Sequence, residues 1–123
     1  MPKTATLSHD PVAAATTAID KLKELQPDWD SYGAGAPNLM ALEQAKNFVY
    51  DIARSLGPEY VSPIVGPTSD GGVALIWRKR GQPKIEAFFS PEQGNRFVVL
   101  RDRKLLDKGT ISNPKFLRQY IVP

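Results

Sequence analysis

Seven consecutive residues, Asp28-Trp29-Asp30-Ser31-Tyr32-Gly33-Ala34, hold the densest set of chemically capable side chains in this 123-residue sequence. Two carboxylates and two aromatic rings on one loop are the right types for a small pocket that takes a cation or a sugar. Ring faces attract positive charge, and carboxylates accept hydrogen bonds. Trp29, Asp30 and Tyr32 are the candidate ligand contacts, with Glu86 as a candidate acidic partner from a later segment. The same residues also have a structural use. Trp29 and Tyr32 can plug the gap between two helices, each with a large buried area. Asp30 can accept from a backbone N–H two residues on, while Gly33 and Gly35 can take positive φ. A long loop between helices needs such an anchor, so the structural role is the favoured expectation.

Other chemistries find less support. The sequence has no cysteine, which excludes disulfides, thiolate nucleophiles and thiolate metal sites. Its single histidine, His9, sits in a polar N-terminal stretch and reads as solvated. Asp70-Gly71-Gly72 is followed by strand-like residues, not by the lysine and helix of a phosphate loop, and reads as a tight turn. Asp28 and Asp30 lack the further oxygen ligands that a divalent cation needs. Ser62, Ser69, Ser90 and Ser112 lie near turns without a nucleophile elbow. No catalytic residue, metal ligand or cofactor is therefore assigned, and a binding module is favoured over an enzyme.

Charge points to a second kind of site. The formal net charge is +3 but is unevenly spread: residues 1–57 carry five Lys/Arg against seven Asp/Glu, and residues 58–123 carry eleven against six. The excess gathers in Arg78, Lys79 and Arg80, and in Arg101, Arg103 and Lys104. These are candidate nucleic-acid contacts, with Tyr60, Phe88 and Phe97 as stacking partners if they share an open sheet face. The same cations are also what a solvated sheet edge uses to discourage edge-to-edge pairing.

The elements that must position these groups follow from periodicity. Asp10-Pro11 starts a helix with an acidic cap, and Val12, Ala15, Ile19, Leu22 and Leu25 mark its apolar face up to Pro27. Asn38 caps a second helix with a stripe of Leu42, Ala45, Phe48, Val49, Ile52, Ala53 and Leu56, stopped at Gly57-Pro58. The period then changes from helical to alternating. Tyr60–Thr68 reads as a proline-interrupted edge strand, followed by strands over 73–78, 84–90 and 96–101 joined by tight turns. Leu105-Leu106 either extends the last of these or begins a fifth. Ser112-Asn113-Pro114 starts a short C-terminal helix with Phe116, Leu117, Tyr120 and Ile121 as its apolar face.

The expected fold is α+β: two N-terminal helices, an antiparallel meander of four or five strands and a short C-terminal helix in a two-layer sandwich. Residues 1–9 form a flexible tail and residues 10–123 a single domain. Ile76, Phe88, Val98 and Leu100 fall out of phase with the core-facing residues and so make a second apolar face. Such a face suits a homodimer or a protein partner, with nucleic acid as the alternative. No signal peptide or apolar run of about 20 residues is present, so the expectation is a cytoplasmic protein without membrane contact.

Two longer motifs carry a resemblance. Trp-Asp-x-Tyr-Gly-Ala (Trp29 to Ala34) is followed by Pro-Asn and a helix, then by Pro-Ile-Val-Gly-Pro-Thr-Ser-Asp-Gly-Gly-Val (Pro63 to Val73) and a strand bearing Trp77. Over about residues 19–90 the chain resembles a group of small bacterial and mobile-element proteins with a Trp-Asp-Gly-Tyr-Gly-Ala signature. Ser31 stands where that group usually has glycine. The resemblance implies a shared fold and carries no activity.

Overall fold

The computed structural model describes residues 10–111 and Tyr120. Helix α1 spans Pro11–Lys21 and α2 spans Leu39–Leu56. Five strands follow: β1 (Ile64–Pro67), β2 (Val73–Trp77), β3 (Lys84–Ser90), β4 (Gly94–Arg101) and β5 (Lys104–Thr110). They form one antiparallel sheet in the order β1-β2-β3-β4-β5. The chain is thus α+β, with two helices and a five-stranded antiparallel sheet.

Both helices begin where side-chain caps replace missing intrahelical acceptors. Asp10 accepts from the N–H groups of Val12 (2.9 Å) and Ala13 (3.3 Å). Asn38 accepts from Ala41 at 3.1 Å. Gly57 closes α2 in a positive-φ conformation that glycine adopts without steric cost. The buried stripe of α2 (Ala41, Leu42, Ala45, Phe48, Val49, Ile52 and Leu56) joins Ala15 and Ile19 of α1 and alternate residues of β2, β3 and β4 in one core. Phe48 bridges helix and sheet, 5.3 Å from the Phe89 ring and 6.1 Å, edge-on, from the Trp77 ring. Complete burial of side chains of this size contributes about 1.5–3 kcal/mol each. Between the helices, Lys46 donates to Asp20 at 3.0 Å. That contact holds the carboxyl below its ordinary value and the ammonium above it, but both groups still reach solvent, so it orients more than it stabilises.

Of the two expected sheet sizes the five-stranded one forms, because the chain reverses sharply at Asp102-Arg103. Both residues take positive φ (51° and 68°), the backbone of a two-residue hairpin. The edge strand β1 is only four residues long, since Pro63 precedes it and Pro67 is its last paired residue. Tyr60 is not on an open face but packs half-buried against the core. Its hydroxyl finds no hydrogen-bond partner among the described residues, and burial, aided by the negative charge of Asp10, pushes its pKa up to about 12. The expected N-terminal tail with His9 lies outside the described residues, as does all of the expected C-terminal helix but Tyr120. The Tyr120 hydroxyl donates to Asp107 at 3.0 Å.

Candidate functional site

The aromatic-acidic loop is wired almost entirely to itself. Asp30 accepts from the N–H groups of Tyr32 (2.8 Å) and Ala34 (3.1 Å), and Asp28 accepts from Gly33 at 2.6 Å. The Trp29 indole donates to the Gly35 carbonyl at 3.0 Å. Asp28 and Ser31 both hold φ of 66°, a left-handed backbone that non-glycine residues adopt at a cost. The position where the resembled group has glycine is therefore one whose backbone favours glycine. The loop is also stitched to the turn between β1 and β2: Gly35 donates to the Ser69 carbonyl at 2.9 Å, and Asn38 to that of Gly71 at 2.7 Å. The two signature motifs, far apart in sequence, thus form one clamp.

The turn continues this wiring. Thr68 and Ser90 each donate a hydroxyl hydrogen bond of 2.5 Å to Asp70, and Gly72 donates to Thr68 Oγ1 at 2.9 Å. Burial acts to raise the Asp70 carboxyl, but hydrogen bonds from Ser90, Thr68 and the Gly72 backbone outweigh it and hold the carboxyl below its ordinary value. A β-carbon on Gly72 would collide with the Phe89 carbonyl oxygen. Neither aromatic is the expected plug: Tyr32 is 92% exposed, with its backbone N–H held by Asp30, and Trp29 is half-buried but outside the core. Glu86 does not join the loop through any hydrogen bond or ion pair; its carboxylate pairs with Lys84 at 2.9 Å.

The predicted second apolar face is the side of the sheet away from the helices. Two cross-strand rows cover it: Gly66–Ala74–Phe88–Arg96–Thr110 and Ile64–Ile76–Glu86–Val98–Lys108. Ile76, Phe88, Val98 and Leu100 are half-buried by their neighbours alone, and Ile64 is 61% exposed. The Arg96 guanidinium lies 5.7 Å from the centre of the Phe88 ring, so this ring already has a cationic neighbour. Phe97 is buried on the helix side, which removes it as a stacking platform.

The basic residues gather at the end of the sheet opposite the clamp. Arg78, Lys79 and Arg80 occupy the connection from β2 to β3, and Arg101, Arg103 and Lys104 the hairpin between β4 and β5; all six are exposed. An open cleft of about 570 Å3 is lined by Arg78, Lys84, Leu100, Arg101, Asp102 and Arg103, together with Gly81 and Gln82. Lys84 escaped the sequence reading, although its alternation with Ile85 already placed it on the face of Glu86. Among the described residues, no group of three or more His, Cys, Asp or Glu could hold a metal ion, and no helix is long and apolar enough to cross a membrane. No protein-family model, curated protein or solved structure matches the chain.

Proposed function

We propose that this protein is a small non-enzymatic interaction module whose open sheet face associates with a second copy of itself. The observation that carries this reading is the set of outward apolar residues Ile64, Ile76, Phe88 and Val98, spread over two adjoining rows, over which no layer lies among the described residues. Five strands about 4.8 Å apart, each about six residues long, present a face of roughly 500 Å2. Two copies would cover about 1,000 Å2, the lower bound for a specific pair. The carboxylate at the centre of the face is compatible with being covered, because Glu86 is already paired with Lys84; Arg96 and Lys108 lie on the same rows toward the β4–β5 edge, where their long exposed side chains reach solvent at the rim.

In this reading the helices and the sheet are the two layers of a sandwich. Tyr120 lies with the helical layer: it packs against the core and bonds to Asp107, the register partner of the core residue Val99. The resemblance to the Trp-Asp-Gly-Tyr-Gly-Ala group then describes a shared clamp rather than a shared pocket.

Light scattering from micromolar to near-millimolar protein tests the reading. The parent is expected to approach twice the monomer mass, and Ile76→Lys to stay monomeric with an unchanged fold by circular dichroism. Val98→Ser serves as a milder second variant should the lysine disturb folding. A parent that remains monomeric throughout removes the proposal.

A further inference from the structure

We propose that the cleft at the β2–β3 and β4–β5 end of the sheet binds consecutive phosphate groups, carried either by a single-stranded nucleic-acid backbone or by a free oligophosphate. Four cationic side chains from separate parts of the sequence line it: Arg78 after β2, Lys84 at the start of β3, Arg101 at the end of β4 and Arg103 in the following hairpin. Only Lys84 has a carboxylate partner among the described residues; Arg78, Arg101 and Arg103 form no ion pair there. One carboxylate, Asp102, also lines the cleft, so the set remains strongly cationic. Gathering three guanidinium groups around a single carboxylate leaves uncompensated positive charge, whose Coulomb cost an anion relieves.

The shape of the cleft and its apolar contribution narrow the ligand. At about 570 Å3 the cleft falls within the range of small-ligand sites and is larger than a single phosphate needs. Leu100 supplies its apolar surface, and no aromatic ring lines it. Base stacking is therefore not on offer, and recognition falls to the phosphates, for which planar guanidinium groups give paired hydrogen bonds. The backbone adds a second sign. Arg103 is held at φ 68°, where glycine would be the unstrained choice, in the hairpin that brings it beside Arg101. Lys79, Arg80 and Lys104 continue the positive charge beyond the cleft in the same two connections. That track suits a linear polyanion better than a compact one.

Fluorescence anisotropy on the full chain tests this with a labelled oligothymidylate, at several salt concentrations, and with tripolyphosphate as competitor. The oligothymidylate is expected to bind with a logarithmic salt slope near −2, the value for about three phosphate contacts on a single strand. The double variant Arg78→Gln/Arg101→Gln should weaken binding at least tenfold at an unchanged melting temperature. A control pair at the end of α1 and in the turn after it, Lys21→Gln/Lys23→Gln, should change affinity less than twofold. Displacement by equimolar tripolyphosphate would assign the site to free oligophosphates, and resistance to it would assign the site to a nucleic-acid backbone; both support the proposal. Binding that survives the arginine double variant, or no binding of either probe at low salt, overturns it. Measuring molecular mass in the same samples keeps this outcome separate from that of self-association.

Discussion

The two ends of this sheet use their polar groups in opposite ways. At the end formed by the 28–38 loop and the β1–β2 turn, Asp28, Asp30, Asp70, Thr68 and Ser90 all find partners within the chain. At the other end, Arg78, Arg101 and Arg103 line a cleft without ion-pair partners among the described residues. The conspicuous sequence motif belongs to the first end, where every carboxylate of the motif is occupied by backbone N–H groups. A dense cluster of polar and aromatic residues is therefore internal wiring here. The scattered charges of two ordinary hairpins are what face outward.

The largest test of this contrast is Gly72→Ala. Its new methyl meets the Phe89 carbonyl and lies 2.8 Å from Thr68 Oγ1, so a strand must shift. The expected loss is about 3 kcal/mol, read from urea unfolding. Asp30→Ala should follow at about 2 kcal/mol, because it strands the N–H groups of Tyr32 and Ala34. In both variants the protein that remains folded should bind oligothymidylate like the parent. A selective loss of binding in Asp30→Ala would instead give the loop a functional role.

Acid sharpens the same comparison. Asp70 has a folded-state pKa below its ordinary 3.8, so its ionised form stabilises the fold above that pH. That contribution is lost as pH falls below 3.8 through the lower folded value. Asp70→Asn should lower stability at neutral pH and flatten the acid limb of a urea-midpoint profile. An unchanged acid limb would remove Asp70 from the clamp's energetics.

The smallest effects compare strain at the two ends. Ser31 and Arg103 both hold positive φ. Glycine at either position should raise stability by about 1 kcal/mol. Ser31→Gly should do so with binding unchanged, whereas Arg103→Gly should gain stability while weakening the oligothymidylate complex. Equal behaviour of the two variants in binding would erase the distinction between a structural and a functional end.

Much of the scaffold was legible before any coordinates. Asp10 and Asn38 announce their helices, Gly57 ends the second, and the alternation Ile85-Ala87-Phe89 marks a half-buried strand. The fifth strand was legible only as an alternative, because Asp102-Arg103 lacks the glycine that usually flags a two-residue hairpin. Tyr32 could not be placed either: composition marks a tyrosine as a good anchor, yet it is exposed, and Trp29 is held by its own loop through the Gly35 carbonyl and is not part of the core. The arginines were visible as charges. Their meeting at one end depends on register, which brings Lys84 opposite Leu100 and so joins two hairpins that the sequence separates.

The central claim, that the open sheet face meets a second copy, is tested most directly by isotope-filtered nuclear Overhauser measurements on a mixture of labelled and unlabelled chains. The account predicts intermolecular contacts from the methyl groups of Ile76 and Val98 and from the Phe88 ring, and none from core residues such as Leu75. Intermolecular contacts confined to other surfaces, or absent at near-millimolar concentration, would contradict it.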